Sequence, residues 1–464
     1  MKRFFDTLKN IWKIKELRQR ILFTLGLLFV FRFGSFVVLP GINPAILEEA
    51  IKSSSSGNDL LSLINTFTGG AFKKASIMAL GIMPYITASI IIQLLGFAVP
   101  YFQRLQQKEG ESGRRKVNQI TRMLTVAITL VQGGTYLSYV KSMSANGIPA
   151  VDPSVPDGIF WLSNIIILST GTVFAMWLGE RITDKGIGNG VSLLITIGII
   201  ASLPAAFAFE INSQFSAGRI LNLIVEMALL YGIIMATVMV VIGVRRIPIQ
   251  FAKRMVGRGS ANIPASGVRD YIPLKVNAAG VMPIIFAQAL MFLPAVAAQI
   301  IAGQQSDLNA HPILRALNDF TSAPYNIIYF IMVVAFTYVY TALMVNPTQY
   351  AEYLKRQNAF IPGVKPGKAT ADFIDSVTTR ITLPGAVILG FIAILPSIAR
   401  AFGVNTGFAQ FFGGTSLLIM VGVVLDTLQQ IESHLLMRRY DGLVKSGRIQ
   451  GRNSGRMQSI GANM

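Results

Sequence analysis

Ten long apolar stretches run along the chain, beginning near Ile21, Ala75, Thr121, Ile159, Val191, Leu221, Val276, Asn326, Ile381 and Phe412. Each is long enough to cross the roughly 30 Å of hydrocarbon in a bilayer as a helix. Helix is the expected form, because lipid offers no partner to a peptide N–H or C=O and the segment must satisfy its own groups. The pattern predicts an all-α integral membrane protein with about ten transmembrane helices. The loops between the stretches alternate between rich and poor in basic residues, and that alternation gives the orientation.

Of the 41 Lys and Arg residues, 33 fall in residues 1–20, 104–122, 181–185, 245–275, 355–380 and 438–456. The opposite side holds Lys52, Lys73, Lys74, Lys141, Arg219, Arg315 and Arg400, and Arg32 lies inside the first stretch. Basic loops stay on the cytoplasmic side, so both termini are expected there. The formal charge of +19 could suggest nucleic acid. The sidedness accounts for it without one. Composition agrees: 52% of residues are hydrophobic and 14% charged, with mean hydropathy +0.54, where a soluble domain carries about a quarter charged. With no cysteine, disulfides and thiolate metal sites are excluded. The first apolar stretch holds Phe and Arg and lacks a small-residue cleavage pattern, so it reads as a retained span rather than a secretory signal.

Five spans precede and five follow a division between residues 1–210 and 211–464. An odd number places the halves upside down relative to each other, an arrangement that often builds a path at the interface. The first 20 residues carry Phe4, Phe5, Leu8, Ile11 and Trp12 on one helical face, as an interfacial amphipathic helix would. Leu60–Ala71 is apolar, too short to cross, and broken by Gly69 and Gly70. It reads either as a half-helix entering from outside or as a helix lying in the headgroups. Arg245–Lys275 and Asn346–Arg380 are longer than helical hairpins need. Such loops are often docking surfaces, although orientation alone explains their sign.

Catalytic constellations are not visible. His311 and His434 lie on opposite predicted sides, which leaves no histidine cluster for a metal or a triad. GVKPGKAT (Gly363–Thr370) is one residue short of a phosphate loop and has Ala369 in place of the hydroxyl. KGIGNG (Lys185–Gly190) reads as a tight turn opening the fifth span. Charges within spans are few, mainly Arg32, Glu226 and Asp426. A secondary transporter built on inverted repeats, the alternative reading, should show paired charges near mid-membrane. No enzyme activity, cofactor or metal is expected.

Several long motifs narrow the choice. ASIMALGIMPYITASIIIQLL (Ala75–Leu95) resembles the second span of the SecY family, the central subunit of the Sec protein-conducting channel. FRFGSF (Phe31–Phe36), EGESGRRK (Glu109–Lys116), MWLGERITDKGIGNG (Met176–Gly190), PLKVNAAGVMP (Pro273–Pro283), YTALMVNP (Tyr340–Pro347) and FGGTSLLI (Phe412–Ile419) match in the same order. The resemblance implies an hourglass pore between two inverted five-helix halves, with an aliphatic waist, a short re-entrant plug helix and a side opening to lipid. Such a pore passes unfolded presecretory chains across the bacterial plasma membrane and releases hydrophobic segments sideways.

Mapped by motif, the waist falls on Ile82, Ile86, Val191, Ile195, Ile285 and Ile419. Ile82/Ile86 and Val191/Ile195 are spaced to share a helix face. Val191 stands where the family more often has Ile. The resemblance puts the plug at about Leu60–Ala71, including Leu60, Leu63, Ile64, Phe67, Gly69 and Gly70. Thr87, Gln93 and Asn277 are the polar residues it places at the side gate. Arg245, Arg246, Lys253 and Lys365 become docking residues, with Lys365 where the family usually has Arg, which loses the planar bidentate fork. The implied partners are SecE, SecG, the SecA ATPase, the ribosome with its nascent or presecretory polypeptide, the accessory SecD/SecF and YidC, and membrane lipid.

Overall fold

The computed structural model describes residues 12, 14–53, 65, 67–107, 110–145, 147–216, 218–251, 269–288, 290–291 and 322–445. Leu60, Leu63, Ile64, Lys253, His311, most of the first 13 residues and the tail after Lys445 lie outside them.

Each of the ten apolar stretches contains helix. The N-terminal ones form α1 (Lys15–Gly34), α3 (Met83–Ala98), α5 (Gly110–Ser142), α6 (Asp157–Lys185) and α7 (Gly190–Ser216), with the short α2 (Pro44–Ser53) and α4 (Pro100–Gln107) between them. The later ones form α8 (Ile220–Ile242), a short helix at 282–288, α9 (Ala323–Met344), α11 (Lys368–Ala401) and α13 (Gly414–Lys445). The short α10 (Pro347–Arg356) and α12 (Thr406–Ala409) complete the set. Among the described residues, seven helices are long and apolar enough to cross a membrane. α1 is shorter and more charged, and α3 has 16 residues.

The second apolar stretch does not turn helical where its hydropathy begins. Leu39 N–H donates to Ala75 O, and Ile77 N–H to Val37 O, so residues 75–77 bond to 37–39 as an isolated bridge. Pro84 sits in the first turn of α3. Its ring cannot follow a helical carbonyl four residues earlier, so the helix starts at Met83. The backbone of this stretch is satisfied by a bridge first and by a helix second.

Between α6 and α7 the KGIGNG run is the expected tight turn, stitched by three side chains. Ile187 N–H donates to Thr24 Oγ1 of α1 at 3.1 Å, Gly188 N–H to Gln430 Oε1 of α13 at 2.8 Å, and Gly190 N–H to Thr183 Oγ1 of α6 at 2.9 Å. Asn189 Oδ1 accepts from Val191 N–H and so caps α7. First, fourth and tenth stretches therefore meet at one turn.

α3 packs on α5, α5 on α6 and α6 on α7, while α9 packs on α11 and α8 on α13. α13 also packs along α7 and joins the two groups. Arg122 on α5 makes a bidentate pair with Glu180 on α6, at 3.0 and 2.8 Å.

A small sheet appears that the apolar pattern did not predict. β3 (Val244–Phe251) pairs antiparallel with β4 (Arg269–Lys275), and β3 also pairs with β5 (Ala359–Phe360). The two loops expected to be docking segments thus share one sheet. Ile247, Ile249, Leu274, Leu354, Ala359, Ile361 and Ile374 bury a common core beneath it. A second, two-stranded ribbon, β1 (Ser144–Ala145) with β2 (Ile148–Pro149), follows α5.

α6 crosses the bridge segment where only glycine fits, because a Cβ on Gly171 would strike the carbonyl oxygen of Ile77. Gly171→Val is expected to cost about 1–3 kcal/mol, the usual penalty of overpacking. It should lower the midpoint of thermal unfolding in detergent. A midpoint equal to the parent's would contradict the close approach.

Candidate functional site

The six aliphatic residues expected at the waist come from four separate pieces of chain and meet in one cluster. Ile82 caps the start of α3, and Ile86 N–H bonds its carbonyl at 3.1 Å, so the pair keeps helical spacing across the boundary. Ile82, Ile86, Ile195 of α7 and Ile419 of α13 are buried. Val191 of α7 and Ile285 of the 282–288 helix are partly buried and pack against them. Phe67, Ile90, Phe286 and Phe412 extend the cluster. Isoleucines facing acyl chains would be exposed, as Phe29 on α1 and Leu221 on α8 are, at 72% and 73%. Ile419 is exposed by 3%. The arrangement offers a large aliphatic surface at the junction of both helix groups, and the six residues themselves carry no polar side-chain atom.

Of the six plug residues, three are described. Phe67 is buried in the aliphatic cluster, and Gly69 and Gly70 follow in the left-handed region at φ +62° and +89°. The turn is tied down: Gly70 N–H donates to Asn65 O at 2.9 Å, Lys73 N–H to Asn65 Oδ1 at 3.1 Å, and Arg32 Nη1 to Gly69 O at 2.9 Å.

The three gate residues behave differently from one another. Gln93 on α3 accepts from the hydroxyl of Tyr340 on α9 at 3.0 Å, while its amide nitrogen donates to Ser89 Oγ at 3.1 Å. This bond joins the second stretch to the eighth. Tyr340 also lies 4.8 Å, ring to ring, from Phe286. Thr87 makes no such link, because its hydroxyl donates to Met83 O one turn back on its own helix. Asn277 is buried with Oδ1 unpartnered, in the turn before the 282–288 helix. Sequence reasoning missed Tyr340 as Gln93's partner. α9 also carries Tyr325, Tyr329, Thr337, Tyr338 and Thr341, so composition alone did not single out Tyr340.

On the basic side, Arg245 and Arg246 are exposed on β3, opposite Leu274 and Pro273. Lys365 is exposed in the turn after β5, and its carbonyl accepts from Thr370 Oγ1 at 2.9 Å. The sheet therefore gathers three of the four expected docking residues into one folded platform.

One cluster was only half anticipated. Glu226 of α8 shares a neighbour with Glu210 of α7: Gln214 Nε2 donates to Glu210 Oε1 at 2.9 Å and to Glu226 Oε1 at 3.1 Å. Asn405 N–H donates to Glu210 Oε2 at 3.2 Å. Sequence reading named Glu226 alone. Glu210 lies near the end of its stretch, where a carboxylate reads as loop-facing. Among the described residues no group of three or more His, Cys, Asp or Glu could hold a metal ion.

A solved structure described as a protein-conducting channel superposes with a TM-score of 0.61 at 17% identity, covering 89% of this chain and 91% of that one. Sec61 in the canine ribosome–channel complex from the endoplasmic reticulum superposes at 0.55 with 15% identity, covering 89% and 91%. The fold is that of the protein-conducting membrane channels. The family model described as SecY matches residues 76–428. The protein translocase subunit SecY of Chlamydia muridarum (strain MoPn / Nigg) is 39% identical over 475 residues, covering 96% of this chain and 99% of that one. The chain belongs to the SecY family.

A double-mutant cycle tests the Gln93–Tyr340 bond. Gln93→Leu and Tyr340→Phe are expected to couple by about 1 kcal/mol, the usual size of an interhelical hydrogen bond in a membrane. The readout is unfolding in mixed micelles. Strictly additive effects would show that the bond does not join the two helices.

Proposed function

We propose that the chain is the pore-forming subunit of a bacterial Sec translocase. It conducts unfolded presecretory polypeptides across the plasma membrane and releases hydrophobic segments sideways into lipid. The observation that carries this reading is the convergence of Ile82, Ile86, Val191, Ile195, Ile285 and Ile419, from both helix groups, in one aliphatic cluster. A ring of such groups excludes ions because water leaves a narrow apolar constriction. The same ring can deform around a passing chain without offering it specific bonds.

In this reading residues 60–71 plug the path from outside. Gln93 and Tyr340 latch the side gate until a hydrophobic segment parts α3 from α9. The two groups of helices are inverted halves of five spans each, and both termini are cytoplasmic. The basic sheet lies on that side and docks the SecA ATPase or the ribosome through Arg245, Arg246, Lys253 and Lys365. SecE and SecG complete the channel, with SecD/SecF and YidC as accessory partners. Energy comes from those partners, since the pore residues themselves carry no catalytic chemistry. A small-solute carrier would use the Glu210–Gln214–Glu226 cluster as a substrate site. The full-length match to a translocase subunit favours the channel.

Vesicles reconstituted with the protein, SecE, SecA, ATP and a presecretory substrate are expected to protect the substrate from added protease. Solute uptake without protection would overturn the reading. Charge reversal at Arg245 and Arg246 is expected to weaken SecA or ribosome binding at least about tenfold at low salt, and less at high salt as screening shortens the reach of the charges. Binding equal to the parent's would remove both residues from the interface.

A further inference from the structure

Two neighbouring spaces at the contact of α9 with α11 differ sharply in polarity. The first is a cavity of about 50 Å³, room for a few waters. Its walls carry the hydroxyls of Tyr325, Tyr329, Thr415 and Ser416 and the amide of Gln410, with Asn326 and Ser397 at one side. Among the described residues no charged side chain lines it. The second is a groove of about 280 Å³ walled by Ile327, Phe330, Ile331, Phe391 and Ile394. Asn326 lines both spaces.

Both spaces are shaped by specific contacts. Ser397 Oγ donates to Asn326 Oδ1 at 2.9 Å, and Asn326 Nδ2 donates to Ser322 O at 2.8 Å. This chain of bonds pins α9 to α11 beside the polar cavity. On the groove side Phe330 rests on bare backbone, because a Cβ on Gly390 would come within 2.6 Å of its ring. Phe330 also meets Phe391 edge to face, with ring centres 5.7 Å apart. Ile331 and Phe391 remain exposed by 59% and 55%, so the groove is open to the surrounding hydrocarbon.

Depth orders the two spaces. Asn326 lies in the first turn of α9 and Ser397 about one turn from the end of α11, so the polar cavity sits near one membrane surface. Phe330, Ile331, Phe391 and Ile394 lie one to two turns deeper, about 5–10 Å. Polar at the surface and apolar below is the order of a lipid in its own leaflet. The cavity offers a phosphate no cation and an ammonium no carboxylate, whereas hydroxyls and amides both donate and accept hydrogen bonds. That chemistry selects an uncharged head group bearing hydroxyls.

We propose that α9 and α11 form a binding site for one lipid of the diacylglycerol type, with an uncharged, hydroxyl-bearing head. The head sits against Asn326 and the polar cavity, and one acyl chain lies in the groove across Phe330 and Phe391. In the orientation given above the lipid comes from the outer leaflet. The site itself does not depend on the channel reading.

The test uses the complex with SecE in phosphatidylcholine vesicles doped with a diacylglycerol that carries a diazirine in one acyl chain. A phosphatidylglycerol with the same chain is the charged comparison. After irradiation the labelled residues are mapped by mass spectrometry. The diacylglycerol is expected to label 327–331 and 391–394 about fivefold above Leu221 and Ile224 of α8, which are exposed by 73% and 60%, and about fivefold above the phosphatidylglycerol at the same residues, what one membrane hydrogen bond is worth. Ile331→Trp fills the groove from its exposed side and should abolish the excess while leaving the unfolding midpoint unchanged. Asn326→Leu should remove the preference for the diacylglycerol over the phosphatidylglycerol. Labelling spread evenly over α8, α9 and α11 would mean ordinary surface lipid and overturn the site. Equal labelling by both probes would overturn the uncharged head. No labelling at 327–331, as when SecE covers the groove, would overturn the proposal outright.

Discussion

A peptide group inside a bilayer has only protein to bond with, and it must bond with something. For most of this chain the answer is the helix. The informative places are those where the helix stops inside the apolar stretch and another device takes over. Residues 75–77 turn to 37–39. The turn at 186–189 takes Thr24, Gln430 and Thr183 from three different stretches. The turn at 67–70 takes Asn65, Arg32 and a bare face of α7. Two of these devices adjoin the aliphatic junction: Phe67 enters the cluster from the turn at 67–70, and Val191 enters it just after the turn at 186–189.

The junction itself is chemically plain. Its cluster is aliphatic and aromatic, and it spans α3, α7, the 282–288 helix and α13. Plainness suits a conduit for chains of any sequence, since a binding site with fixed hydrogen-bond partners would hold some cargoes and refuse others. Polar interactions sit at the margin of the six aliphatic residues rather than among them. The Gln93–Tyr340 bond ties two helices that belong to opposite groups, and Arg32 holds a loop that the lipid would otherwise leave unsatisfied. Each is a single bond of modest strength.

Much of this was legible along the chain. Hydropathy marked all ten stretches, each of which contains helix. Motif resemblance placed the six aliphatic residues that converge in space. Periodicity alone could not have done so, because isoleucines in a membrane helix look the same whether they face lipid or one another. The delayed start of α3 was hidden because the bridge to 37–39 is a long-range pairing with no local hydropathy signal. The sheet at β3, β4 and β5 was hidden for a related reason. Its strands come from two loops about a hundred residues apart, and each loop is punctuated by Gly and Pro, as a structureless loop would be. The bond of Thr87 back to its own helix was hidden because composition cannot show which carbonyl a threonine hydroxyl will take.

The central claim is that a moving polypeptide passes through the ring formed by the six aliphatic residues. A photoreactive amino acid placed singly at Ile86, Ile195 and Ile419, and at the outward-facing Phe29 and Leu221, tests it against a translocating chain arrested midway. The account expects crosslinks to the arrested chain from all three ring positions and to lipid from the two outward ones. Crosslinks to lipid alone from the ring positions, with the chain captured elsewhere or not at all, would contradict it.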